Sequence, residues 1–133
     1  MDLEVLKIAA NTKKHRLLKS YDHIYRQKNS FCGDEIIISL KVKNKKIYKI
    51  GFNCKSCMYT QASAALLSDY SINKSFEEIQ NMNLELNKYF KKQTLKLPKK
   101  LNKFSKIVKN RNFPRKDCIL LPFNALNKMI KSL

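Results

Sequence analysis

The spacing of apolar residues changes several times along the chain, and each change predicts a different element. Leu3, Leu6, Ala10 and Leu17, with Val5 and Ile8 beside them, keep helical spacing and predict an N-terminal helix from Leu3 to about Leu18. Ser20 to Ser30 is polar and reads as irregular chain leading into Cys32. Glu35 to Val42 then alternates, placing Ile36, Ile38, Leu40 and Val42 on one face. Lys43-Asn44-Lys45 turns the chain into a second strand, Ile47 to Phe52, so a β-hairpin is expected. Met58 to Tyr70 is rich in Ala and Leu and predicts a helix starting at or near Cys57. Ser75-Phe76-Glu77-Glu78 has the form of a capping box and opens a short helix, followed by another from Leu84 to about Lys92. Leu97 to Val108 reads as a basic helical stretch, and Phe113-Pro114-Arg115-Lys116 as an extended connector. Asp117-Cys118 begins a C-terminal helix that runs to about Ile130.

These elements predict an α+β fold, a small hairpin-based antiparallel sheet packed against several helices. With 133 residues, the expectation is a single domain over 1–133 that buries roughly two-thirds of its unfolded surface without covalent staples. No apolar run is long enough to span a bilayer, so no membrane association is expected. The start, Met1-Asp2-Leu3-Glu4, lacks the order of a secretory signal; both points place the protein in the cytoplasm. In that reducing compartment the four cysteines are expected as ligands or reactive thiols rather than disulfides, although Cys54 and Cys57 form a C-x-x-C that allows redox coupling.

The net charge of +18 raises a nucleic-acid reading, which the composition discounts. Of 28 basic residues 24 are Lys and 4 are Arg, whereas recognition of phosphates and base edges favours the forked guanidinium. The lysines read mainly as a solvated surface, with a real acidic partner, a protein surface or a nucleic acid, as the alternative.

The candidate chemistry lies in Cys32, Asp34, Cys57 and Cys118. Gly33 lets the backbone bend so that Cys32 and Asp34 aim at one ion, and thiolate-rich sets favour zinc or iron–sulfur chemistry. The two ends of an antiparallel hairpin are adjacent, which brings Cys32 and Asp34 close to Cys57. Cys57 and Cys118 each sit near a helix N-terminus, where free amides stabilise a thiolate. A zinc ribbon fits poorly, because it needs two paired C-x-x-C motifs while Cys32 and Cys118 stand alone.

Several motifs in order carry a resemblance: Cys32-Gly33-Asp34, a hairpin, Phe52-x-x-x-x-Cys57, then Gln61-Ala62-Ser63-Ala64, and a late Arg115-x-x-Cys118. This order resembles the U-type iron–sulfur scaffold family, comprising IscU, SufU and the N-terminal domain of NifU. The likeness extends to Asn11-Thr12-Lys13, which echoes the family's Asn-Pro-Arg. Aligned on Ala62-Ser63, the family's second cysteine falls on Cys57 and not on Cys54. The long step from Cys57 to Cys118, with an added segment at about Leu97 to Asn110, is similar to the SufU type. Phe113-Pro114-Arg115, where IscU-like members carry Pro-Val-Lys, points the same way.

The resemblance implies a SufE/NifU-like fold and a scaffold or carrier of sulfur that forms no product of its own. It would take persulfide sulfur from a cysteine desulfurase, hold iron or a [2Fe–2S] cluster through Cys32, Asp34, Cys57 and Cys118, and pass it to apo iron–sulfur acceptor proteins. Cys118 and Cys32 are the implied persulfide acceptors, supported by Arg115. Asp34, a harder ligand than a thiolate, would make the cluster easy to release. Zinc also suits these four ligands. The alternatives are a zinc-dependent SufU-like sulfurtransferase, or a basic nucleic-acid- or protein-binding module with a structural zinc. Cys54 is open to three readings: a further thiolate, a resolving thiol, or a small buried residue. Asp117 takes the place of a histidine ligand in IscU-like members and is expected to cap the last helix, and Pro122 to disturb its first turns. His15 and His23 are expected to be ordinary surface or core residues.

Overall fold

The computed structural model describes residues 3–29, 33–92 and 96–133. The element order is α1 (Leu3–Ala9), β1 (His23–Lys28), β2 (Glu35–Lys43), β3 (Lys46–Lys55), α2 (Met58–Ser71), α3 (Phe76–Lys92) and α4 (Lys116–Lys131), with two 3-10 segments, Lys99–Phe104 and Asn110–Arg115, between α3 and α4. The strands form one antiparallel sheet in the order β1-β2-β3. This is the expected α+β arrangement.

The predicted hairpin is present as β2 and β3. Ile36, Ile38 and Leu40 turn inward, each no more than 1% exposed, while Val42 is only partly covered. Asn44 and Lys45 form its turn with φ of 54° and 58°. A turn with two left-handed residues matches the natural twist of paired strands, and asparagine tolerates that conformation well.

The region from Ser20 to Ser30, expected to be irregular, contains a third strand instead. In β1, His23, Tyr25 and Gln27 face partly inward and Ile24, Arg26 and Lys28 face outward, so the alternation exists but its inward side is not apolar. The hydrophobic period that announces a strand is therefore absent.

The N-terminal helix ends at Ala9, half the expected length. Residues 14 to 18 leave the helix because the sheet takes their hydrogen-bonding groups. The Phe52 amide donates to the Lys14 carbonyl at 3.0 Å, the Cys54 amide to His15 Nε2 at 3.2 Å, and the Leu18 amide to Ser39 Oγ at 2.9 Å. Gly51 permits this approach, since a Cβ there would collide with the carbonyl oxygen of Arg16. Farther along β3, the Ile47 amide donates to Lys74 O and the Asn73 amide to Ile47 O, and Lys46 bridges Ser75. The outer edge of β3 is thus covered near both ends.

The capping box is formed, with the Glu78 amide donating to Ser75 Oγ at 3.1 Å and the Ser75 amide to Glu78 Oε1 at 3.3 Å. It opens one continuous 17-residue helix, α3, rather than two short ones. Ile79, Met82, Asn83, Leu86, Tyr89 and Phe90 make a single buried stripe, and Asn83 sits where the apolar pattern seemed to break. The helical stretch expected over Leu97 to Val108 takes 3-10 form at Lys99–Phe104, whereas Phe113 to Lys116 is not extended: it ends the second 3-10 segment and begins α4. Leu101, Phe104 and Ile107 are fully buried at a spacing of three, the period of a 3-10 helix. Helices α2 and α4 contact the sheet, α1 packs on α2, and α3 on α4. Phe90, Phe104 and Phe123 are the largest side chains buried in the core, with Phe104 edge-on to Phe123 at 5.2 Å. Among the described residues no helix is long and apolar enough to cross a membrane.

Candidate metal centre

Three parts of the fold meet at one end of the sheet. The first is the β1–β2 connection, where the Asn29 amide donates to Asp34 O at 2.7 Å and the Gly33 amide to Asn29 O at 2.9 Å. Gly33 has φ +75°, a conformation that a residue with a Cβ resists, and it directs the chain into Asp34. The pairing of Glu35 with Lys55 then sets Asp34 beside the end of β3, two residues before Cys57. The second part is the start of α2, where Cys57 occupies the N-cap position in extended backbone (φ −71°, ψ 169°) and its side chain caps no amide. The third is α4, whose third residue is Cys118.

Asp34, Cys57 and Cys118 each place a ligand atom so that all three lie within 4.8 Å of one another. Asp34 is 8% and Cys118 7% exposed, while Cys57 is less covered. A tetrahedral zinc with bonds near 2.3 Å to sulfur separates its donors by about 3.8 Å, so the three groups fit such an ion after a small contraction. A carboxylate and two thiols, with Asp34 and Cys118 shielded from water, are a suitable donor set for zinc or iron. Cys32, the fourth expected ligand, lies outside the described residues.

Cys54 resolves differently from its neighbour. It pairs across the sheet with Ile36, is 8% exposed and belongs to the apolar core. Burial pushes its thiol from the ordinary 9.0 up to about 12, against a lowering hydrogen bond from Ser56, and the nearby charges of Asp34 and Cys57 raise it further. Cys54 is therefore a protonated, buried side chain at neutral pH, and it is absent from the three-residue cluster.

Asp117 is not the cap of the last helix. Arg115 holds that position, α4 begins at Lys116, and Asp117 is an exposed residue of the first turn. The Arg115 guanidinium carbon lies 5.5 Å from the centre of the Tyr59 ring, next to the start of α2. Pro122 leaves α4 continuous. His15 has a structural part, since its ring stacks on Phe52 at 4.9 Å with an 18° tilt while Nε2 accepts the Cys54 amide.

Sequence reasoning missed Thr60. It is fully buried one turn into α2, and its Oγ1 lies 2.8 Å from Asp34 Oδ2, 3.0 Å from Cys118 O and 3.8 Å from Cys57 Sγ. One helical turn later Ser63 Oγ donates to Ile119 O. Two hydroxyls on α2 thus face successive carbonyls of α4. The signal available was a hydroxyl three residues after Cys57 in an alanine-rich helix.

Comparison with known proteins gives a consistent answer. The family model for the NifU-like N terminal domain matches residues 3–119. The iron–sulfur cluster assembly scaffold protein IscU of Thermotoga maritima is 31% identical over 126 residues, covering 93% of this chain and 88% of that protein. Two solved structures share the fold. The NifU-like protein (N-terminal) of Brucella abortus superposes with TM-score 0.81 at 19% identity over 96% of this chain and 90% of that one. A proposed scaffold protein for the SUF system from Fervidobacterium islandicum AW-1 does so with TM-score 0.82 at 21% identity, over 96% and 93%. Motif order, fold and family match agree, and the chain belongs to the NifU-like N-terminal domain family of U-type scaffolds.

Proposed function

We propose that this protein is a scaffold for iron–sulfur cluster assembly, with iron and sulfur as its cargo. The observation that carries this reading is the convergence of Asp34, Cys57 and Cys118 within 4.8 Å, from three separate elements of the fold. Cys32, two residues before Asp34 in the sequence, supplies the fourth ligand of a [2Fe–2S] cluster or of iron. Sulfur arrives as a persulfide on a cysteine desulfurase. The thiolate of Cys118 or Cys32 attacks the outer sulfur, a new S–S bond forms on this chain, and the donor leaves as a thiolate. Arg115, held over Tyr59 beside the start of α2, supports this step by positive charge. The finished cluster passes to apo acceptor proteins, which the hard carboxylate of Asp34 favours by binding iron less firmly than a thiolate would.

The test is anaerobic reconstitution with iron and sulfide. Charge-transfer absorption in the visible is expected for the wild type and is lost in Cys32→Ala. An unchanged spectrum in that variant argues against the assignment.

A zinc-dependent, SufU-like sulfur acceptor is the second reading. It is favoured by the 3-10 segments between α3 and α4, which fill the long step before Cys118, and by the fit of the donor set to a tetrahedral ion. Zinc in protein purified without added iron, together with activation of a desulfurase, supports this reading over the first.

A further inference from the structure

The three clustered ligand residues share one neighbour. Thr60 is 0% exposed, and its single hydroxyl oxygen lies within 3.0 Å of Asp34 Oδ2 and of the Cys118 carbonyl, and 3.8 Å from the Cys57 sulfur. A hydroxyl has one proton to donate and two lone pairs. It donates to one of the two oxygens at a time, and its lone pairs accept from the Cys57 thiol when that is protonated.

The bond to Cys118 has a cause farther along the sequence. In an α-helix the carbonyl of residue 118 receives the amide of residue 122, and that residue is Pro122, which has no amide hydrogen. Residue 122 therefore supplies no backbone amide to the carbonyl of the residue that carries the thiol. Thr60, on the facing helix, is placed to satisfy it. The same hydroxyl contacts only one oxygen of Asp34, and the other stays available to an ion.

The structure assigns Thr60 as the positioning residue of the site. Through one hydroxyl it sets the Asp34 carboxylate of the β1–β2 connection and the Cys118 backbone of α4 against Cys57 at the head of α2. This inference rests on the reading of Asp34, Cys57 and Cys118 as metal ligands. Groups that orient a ligand by hydrogen bonding typically contribute about 10- to 100-fold to metal affinity.

The experiment uses the full chain, with Zn2+ measured by chelator competition and Co2+ by its absorption spectrum. Thr60→Val keeps the shape and removes the hydroxyl; its zinc affinity is expected to fall about 10- to 100-fold, with an altered Co2+ spectrum. Thr60→Ser keeps the hydroxyl and is expected to restore wild-type affinity and spectrum. If Thr60→Val does not fold, Thr60→Val/Pro122→Ala gives the Cys118 carbonyl a backbone amide inside α4 and relieves that side alone. Its zinc affinity is then expected to stay at least about tenfold below that of Pro122→Ala, because Asp34 still lacks its partner. Wild-type affinity and spectrum in the valine variants, or a serine variant as weak as valine, overturns the assignment of Thr60 while leaving the metal site standing. A wild-type protein that takes up neither ion overturns the metal site itself and the assignment with it.

Discussion

The backbone amide of Cys54 donates to Nε2 of His15, a residue 39 positions earlier in the chain. This bond, with the stacking of the same imidazole on Phe52 at 4.9 Å, fastens the segment after α1 to β3 just before the cysteine-bearing turn. His15→Ala leaves the amide without its partner and removes the ring contact. A loss of about 1–3 kcal/mol is expected, measured by urea unfolding of the metal-free protein.

Gly51 holds the same segment in place from the other side. Gly51→Ala sets a methyl group against the carbonyl oxygen of Arg16 and 3.1 Å from the Leu18 amide nitrogen, both backbone atoms that cannot swing aside. The variant is expected to be less stable by about 1–3 kcal/mol, and a double variant with His15→Ala should fall short of the sum, since both changes release one strap. Thermal unfolding of the four proteins checks this.

Cys54 makes stability fall at high pH. Its thiol ionises near 9.0 in the unfolded chain and, through burial, at about 12 in the folded one. Between these values the unfolded chain has released a proton that the folded chain still holds. Its contribution is therefore complete below the lower value and is lost as pH rises toward the upper one, at up to about 1.4 kcal/mol per pH unit. Unfolding free energies of the wild type and Cys54→Ala, measured from neutral to strongly alkaline pH, should converge as pH rises. In native protein at neutral pH, Cys54 is also expected to react with iodoacetamide far more slowly than the less covered Cys57.

Asp34→Ala replaces the one carboxylate of the three-residue cluster. A cluster reconstituted on this variant is expected to decay more slowly than on the wild type when an apo acceptor is added, followed by visible absorption. Faster loss contradicts the role given to the carboxylate in release.

With 28 basic residues against 10 acidic ones, the folded chain repels itself. Among the described residues two ion pairs offset this, Lys14 with Asp69 at 2.9 Å and Lys109 with Glu4 at 3.4 Å, both partly solvated. Added sodium chloride is expected to raise the Tm of the metal-free protein as it screens the repulsion, an effect that differential scanning fluorimetry detects.

Elements announced by local chemistry were legible in the sequence. The β2–β3 hairpin, the start of α2, the Ser75–Glu78 capping box and the extent of α4 all rest on nearby residues, and all are present. Elements set by distant partners were not. The end of α1 is decided by what β3 requires of Lys14 and His15, and β1 is a strand because β2 pairs with it, although Tyr25 and Gln27 carry little apolar signal. Asn83 hid the continuity of α3 because a buried asparagine looks like a break; its carbonyl receives the Asn87 side chain at 2.8 Å. At the site, hairpin geometry anticipated the meeting of Asp34 with Cys57, whereas the choice of Cys57 over Cys54 came from the family motif. Thr60 was missed because its hydroxyl stands out only weakly within α2, and its partners, Asp34 and the Cys118 carbonyl, lie 26 and 58 positions away.

The covered margin of β3 restricts how two copies of this chain can join. A partner strand along β3 would have to displace residues 14–15 and 73–75, which already bond the Ile47, Phe52 and Cys54 amides and the Ile47 carbonyl. Along the other edge strand, β1, exposed Arg26 and Lys28 follow Ile24, and two such rows of like charge oppose each other. Filaments built by strand addition are thereby disfavoured.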